Sequence, residues 1–244
     1  MMTKTYKLTK SKIASGLQCK KKLWFDIHEP AKKVKKATFE RGERFNEVIR
    51  KHYTKIHGKE LNLTGIWDDL IVKTKEAINS KEINVIYEGT FEYLDTQVRT
   101  DVLIRKKNGW ELLEAKSSTR LKDEHIPDIS IQSFIVRECL KQIGHNLISC
   151  KLIHINKDFT LENTEDYTDL INDENDISNK IIEIEKEIPG YIKDFLPLTE
   201  ENSPSPQIKM GSHCNKPYEC DYQDKCKSLL PKTDVTPFTI LPYI

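Results

Sequence analysis

The apolar positions change period along the chain, and each period predicts an element. In LTKSKIASGLQCKKKLWF, Ile13, Leu17, Leu23 and Trp24 are spaced as on one side of a helix that Thr9 or Ser11 would open. From Phe39 a second helix is expected, because Phe45, Val48, Ile49, His52, Tyr53 and Ile56 recur at helical spacing. The pattern then shortens. NVIYEGTFEYL and TQVRTDVLIRKK read as strands, followed across Asn108-Gly109, a strong hairpin dipeptide, by WELLEAK. Beyond Pro127 the run DISIQSFIVRECLKQIG predicts a helix, with Ile129, Val136, Leu140 and Ile143 on one side and Gly144 as its stop. NLISCKLIHIN reads as a buried strand, residues 161–180 as an acidic, Asn-rich connection, ISNKIIEIEKEIPGYIKDFL as mostly helix and SPSPQ as a linker. Strand, hairpin, strand, helix, strand in this order predicts an α/β core with a mixed sheet and helices on its faces.

The hairpin carries the first candidate chemistry. A two-residue turn at Asn108-Gly109 pairs Lys107 with Trp110, which sets Asp101 across from Lys116 and Leu103 across from Glu114. Opposed residues share a face and diagonal neighbours lie about 7–8 Å apart, so Asp101, Glu114 and Lys116 converge on one side of the sheet. Two convergent carboxylates suit a hard divalent cation such as Mg²⁺ or Mn²⁺. A lysine beside them can orient or deprotonate a water, or offset the charge of a phosphorane-like transition state. An ordinary cross-strand ion pair between Asp101 and Lys116 is the competing reading.

Composition and charge add a partner and a compartment. The net charge is only +1, but residues 1–36 hold eleven Lys against Asp26 and Glu29, whereas residues 161–201 hold thirteen Asp and Glu against three Lys. A basic amino-terminal arm can meet phosphates even when an acidic segment hides it in the average. No apolar run approaches the ~18 residues a spanning helix needs, and the amino terminus has no signal-peptide core, so a cytoplasmic protein without a membrane partner is expected. Six cysteines in that compartment point to ligation rather than disulfides. Cys19 together with Cys214, Cys220 and Cys226 of GSHCNKPYECDYQDKC could complete a tetrahedral zinc site or a 4Fe-4S cluster, while Cys139 and Cys150 read as small buried apolar residues.

The order D-x12-E-A-K, with apolar residues around each acid, resembles motifs II and III of the PD-(D/E)XK nuclease superfamily. One remote cysteine ahead of those motifs and three behind them resembles its RecB-like iron-sulfur branch, which includes AddB-type nuclease domains and CRISPR-associated exonucleases. The resemblance implies a restriction-endonuclease-like core and a metal-dependent deoxyribonuclease, an exonuclease on single-stranded DNA ends. Asp101 and Glu114 would then be metal ligands, the Ala115 carbonyl a further ligand, and Lys116 the catalytic lysine. It also implies a structural 4Fe-4S cluster on Cys19, Cys214, Cys220 and Cys226. For the first motif, FERGERFNEVI offers Asn46, which helical-wheel position favours, or Glu43, which ligand chemistry favours.

Gln132 resembles the first residue of the branch's QxxxY motif, whose Tyr is Val136 here, and His125 and Asp128 could reach the mouth of the site. Residues 1–36 would be a basic segment with the first cluster cysteine, 37–200 the nuclease core and 201–244 the cysteine-rich tail. Lys20 to Lys22, beside Trp24 and Phe25, would track a DNA strand. No Walker loop is present, so any helicase motor would be a separate chain. The alternatives are a nucleic-acid-binding module, cluster- or zinc-bearing, whose catalytic site has decayed, and a zinc-stabilised adaptor for a protein partner.

Overall fold

The computed structural model describes residues 6–31, 37–161 and 167–230. Lys32, Lys33, Lys35 and Lys36 of the basic arm and residues 162–166 of the acidic connection lie outside the described residues. The fold is mixed α/β. Six strands form its main sheet: β2 (Glu60–Asn62), β3 (Val85–Tyr87), β6 (Val102–Lys106), β7 (Gly109–Lys116), β8 (Leu147–Ile155) and β9 (Ile171–Asp176), ordered β2-β3-β6-β7-β8-β9. β3, β6 and β7 run antiparallel in succession, and β8 lies parallel to β7 after a helical crossover. A smaller sheet orders β1 (Leu8–Thr9), β5 (Thr96–Arg99) and β4 (Thr90–Tyr93).

Helices cover both faces of the main sheet. On one, α3 (Ala37–His57) buries Phe45, Ile49 and Tyr53 against Val85, Val102, Ile104 and Leu113. On the other lie α1 (Lys10–Gln18), α2 (Lys20–His28), α4 (Trp67–Asn79), α5 (His125–Gln142), α6 (Ser178–Glu185) and α7 (Ile188–Phe195). Their apolar residues, among them Ile13, Leu23, Ile129, Val136, Ile181 and Phe195, join Leu103, Leu112 and Leu152 in one continuous core. The amino-terminal segment therefore shares the core of the sheet-bearing region. Gly144, with φ +77, ends α5: its N–H bonds Lys141 and the His145 N–H reaches back to Leu140, which satisfies the last turn's carbonyls. Among the described residues no helix is long and apolar enough to cross a membrane.

The elements depart from the sequence reading where distant contacts intervene. The first helix is two, because Cys19 is extended (φ −166, ψ 121) and both caps α1 and precedes α2. Leu17 is consequently exposed, and Phe25 rather than Trp24 is buried. Each long strand is also two. Gly89 accepts the Thr100 N–H, and a Cβ at Gly89 would stand 2.9 Å from the Thr100 hydroxyl, so the chain changes sheets at this close crossing. The hairpin between β4 and β5 turns through Leu94 and Asp95, both at positive φ as a type I′ turn demands, although neither is glycine or asparagine.

Between β6 and β7 the turn is Lys107-Asn108, one residue earlier than expected, with Lys106 opposite Gly109. Gly109 serves another contact. At φ +154 it admits the Asn146 carbonyl, which a Cβ there would meet at 2.4 Å. The register therefore moves by two, which preserves the face of every side chain. Four elements were not anticipated, β1, β2, α4 and a short helix α8 (Gln223–Ser228), and part of the acidic connection is an ordered edge strand, β9.

Candidate active site

With Val102 opposite Leu113, the next pair outward brings Asp101 alongside Glu114, and the Asp101 Oδ2 accepts the Ala115 N–H at 2.7 Å. Glu114 and Lys116 alternate with Leu113 and Ala115, so both face α5 and α1 rather than α3. The Lys116 Nζ lies 2.9 Å from Glu114 Oε1 and donates to Asp128 Oδ2, on the first turn of α5, at 2.8 Å. The sequence-derived trio is thus assembled, though Asp101 sits beside Glu114 instead of Lys116. Asp128 is the counter-ion of the lysine. His125 is buried, accepts the Lys122 N–H, and is held below its ordinary pKa by burial and by Lys116.

One functional group escaped the sequence reading. Lys10, the first residue of α1, donates from Nζ to Glu114 Oε1 at 2.7 Å and to Gln132 Oε1 at 2.8 Å. It stands 104 positions from Glu114, and no local pattern signals it. Two ammoniums thus share one oxygen of Glu114. The other, Oε2, is buried with no hydrogen-bond partner, and so is the Nε2 of the fully buried Gln132.

Burial opposes ionisation of Glu114, but Lys10 and Lys116 outweigh it and hold the carboxyl at about 2. Asp101 moves the opposite way. Its carboxyl is crowded by protein, and burial followed by the Glu114 charge pushes it up to about 7. Burial likewise works against the Lys116 charge, but Glu114 and Asp128 prevail and keep it protonated above the ordinary lysine range. Neighbouring carboxyls driven apart in this way mark a site where charge awaits a partner.

Glu43 is exposed and Asn46 half-buried on α3, whose buried side chains meet the sheet face opposite to Glu114. Among the described residues neither makes a hydrogen bond or ion pair with Asp101, Glu114 or Lys116. His52 is half-buried, edge-on to Tyr53, with its pKa lowered by burial.

Cys19, Cys214, Cys220 and Cys226 line one pocket together with Lys21 and Lys22. The extended backbone at Cys19 places its thiol ahead of α2. The Cys220 N–H closes a loop on the Cys214 carbonyl at 2.8 Å, and the Gln18 Nε2 ties that loop to α1 through the carbonyls of His213 and Tyr218. Burial pushes the Cys220 and Cys226 thiols up, while Lys22 and Lys21 respectively pull them toward the thiolate. Cys139 and Cys150 stand apart in α5 and β8, and burial pushes their thiols up to about 11 and about 12. Lys20 pairs with Asp194 and Lys22 bonds Gln18, so two of the three consecutive lysines are engaged within the fold.

No protein-family model matches the chain, and no curated protein matches it. A solved structure titled "Crystal structure of SSO0001" is similar to it at 11% identity and a TM-score of 0.30, over 78% of each chain. The functional reading therefore stands on the residues.

Both donor sets contain the side-chain types that ligate metals. At the acidic site two carboxyls lie side by side and Glu114 Oε2 is a buried acceptor without a hydrogen-bond partner, an oxygen donor of the kind a hard cation takes. At the pocket four cysteines supply soft sulfurs to one lining. Among the described residues no three His, Cys, Asp or Glu side chains already stand close enough to hold a metal ion, so ligation at either place requires side-chain movement.

Proposed function

We propose that this chain is a divalent-cation-dependent DNA nuclease built on a restriction-endonuclease-like core, hydrolysing phosphodiester bonds at single-stranded ends. The observation that carries the reading is the convergence of Asp101, Glu114 and Lys116 with Glu114 Oε2 buried and unpartnered. Asp101, Glu114 and the Ala115 carbonyl would hold Mg²⁺ or Mn²⁺. Such an ion supplies Lewis acidity, which makes a water nucleophilic near neutral pH and offsets negative charge on phosphoryl oxygens.

The chain's own groups do the rest. Glu114 is ionised throughout the neutral range and available as a ligand. Asp101 must lose a proton to become one, so cation binding should release protons below about pH 7. Lys116, pinned between Glu114 and Asp128, stays an ammonium, which suits charge stabilisation and orientation of a water rather than proton abstraction. Gln132 accepts the second hydrogen bond of the Lys10 ammonium, and its own Nε2 is buried without a partner.

Cys19, Cys214, Cys220 and Cys226 would hold a 4Fe-4S cluster, with zinc as the other occupant their chemistry allows. Cleavage of single- and double-stranded DNA with Mn²⁺ by wild type and Lys116→Ala tests the nuclease reading. Loss of cleavage in the variant is expected, and equal rates in both discard it. Iron and zinc analysis of anaerobically purified protein identifies the thiol-bound group. The second reading, a binding module without catalysis, is favoured by the absence of any contact from Asn46 or Glu43 to the site. It predicts DNA retention without metal-dependent cleavage.

A further inference from the structure

Two ammoniums meet at Glu114, and they are not equivalent. Lys116 is compensated twice, by Glu114 at 2.9 Å and by Asp128 at 2.8 Å. Lys10 has Glu114 at 2.7 Å, and among the described residues its other hydrogen-bond partner is the neutral amide oxygen of Gln132 at 2.8 Å. Its side chain is largely covered, with 23% of its surface exposed. A divalent cation ligated by Glu114 would face both ammoniums across a single carboxylate, in surroundings where like charges repel strongly. Lys116 keeps Asp128 when that happens. Among the described residues Lys10 then keeps no hydrogen-bonded anion, with Asp101 and Glu88 acting on it only through space, beside a buried Gln132 Nε2 that has no acceptor.

We propose that Lys10 is a phosphate-binding residue of the catalytic centre: it balances Glu114 in the metal-free protein and, once a cation takes Glu114, passes its ammonium to a non-bridging oxygen of the DNA phosphate. This deepens the nuclease reading and rests on it. Lys10 is the first residue of α1, and rotation about its flexible stem changes its partner without moving the helix. The phosphate supplies the hydrogen-bonded anion that Lys10 loses with Glu114, and it is present only when substrate is bound.

The test compares wild type with Lys10→Met, which keeps the apolar stem, and Lys10→Arg, which keeps the charge. Mn²⁺ titration of DNA-free protein should give Lys10→Met a dissociation constant equal to or several-fold below wild type, since a competing cation is gone. Affinity for a short single-stranded oligonucleotide, measured with Ca²⁺ in place of Mn²⁺, should fall about 10- to 100-fold, the scale of one charge-assisted hydrogen bond. The slope of log affinity against log salt should flatten by roughly 0.7, one phosphate contact on a single strand, and Lys10→Arg should restore that slope.

Unchanged affinity and salt slope in Lys10→Met would overturn the assignment. A tenfold or greater loss of Mn²⁺ binding would do so as well, because Lys10 would then merely hold Glu114 in place. Wild-type protein that neither binds nor cleaves DNA with any divalent cation would instead bring down the nuclease reading and this inference with it, a result distinct from failure of Lys10→Met alone.

Discussion

Gly16→Ala should loosen the helix that carries both Lys10 and the first thiol. Gly16 is buried in α1 against α7, where a Cβ would stand 2.6, 2.8 and 2.9 Å from three carbons of the Phe195 ring. Phe195 is 2% exposed and its ring is stacked with that of Tyr191, so relief of nearly 1 Å must come from the packed helices. Overpacking of this kind costs about 1–3 kcal/mol, and the helical preference of alanine over glycine returns roughly 1 kcal/mol. The net expectation is a loss of up to about 2 kcal/mol, or up to roughly 8 °C in Tm for a chain of this size.

Urea unfolding should show a lower midpoint at unchanged slope. The double variant Gly16→Ala with Phe195→Leu should recover about 1 kcal/mol relative to the sum of the singles, because the smaller side chain vacates the contested space. A Gly16→Ala protein more stable than wild type, or strict additivity in the double variant, would refute the close-contact reasoning.

Other outcomes follow from the same coordinates. In chelator-treated protein Asp101→Asn should be more stable than wild type at pH 8. The folded carboxyl titrates near 7 against an ordinary 3.8, so the wild-type fold is penalised as pH rises between those values, and the stability gap should be absent below about pH 4 and full above about pH 8. Melting curves across that range check it, and a gap that fails to open with pH counts against a crowded carboxyl. Asp128→Asn should lower the cleavage rate about tenfold and move its alkaline limb to lower pH, since Lys116 loses one of the two anions that hold it protonated; a pH–rate profile reads both. Cys214→Ser should abolish iron or zinc retention by elemental analysis, whereas Cys139→Ala and Cys150→Ala should leave it intact. Cys150, with burial pushing its thiol up to about 12, should resist iodoacetamide at pH 8 until the protein unfolds.

The acidic site was legible in the sequence because strand geometry forgives an even error. Placing the turn on Asn108-Gly109 instead of Lys107-Asn108 displaced the register by two, which changed the neighbour of Asp101 but left Glu114 and Lys116 on its face. The misplaced turn has a distant cause: Gly109 accommodates the Asn146 carbonyl, 37 residues away, and its glycine reads locally as a turn. β9 was hidden by its charge, yet it pairs only with β8, and an edge strand tolerates Asp and Asn that a central one would not. The break at Cys19 was hidden by the apolar spacing on either side, which continues as though one helix ran through. Asn46 and Glu43 satisfied a motif's spacing, but spacing along α3 says nothing of which sheet face the helix covers.

Lys10 was invisible for a different reason, and that reason joins the two candidate sites. Its partner Glu114 is 104 residues away, so only tertiary packing identifies it among eleven lysines of the first 36 residues. That packing is the seat of α1 against α5 and α7, through the fully buried Ile13 and the Gly16–Phe195 contact. α1 is nine residues long, about 14 Å at the helical rise, with Lys10 at its start and Cys19 just beyond its end. Gln18 adds a second tie by holding the carbonyls of His213 and Tyr218 beside the other thiols. A group bound by the four cysteines would fix one end of this short rod, while the other end sets the ammonium on Glu114. The phosphate-binding step proposed for Lys10 would then depend on the thiol pocket through the one short helix that joins them.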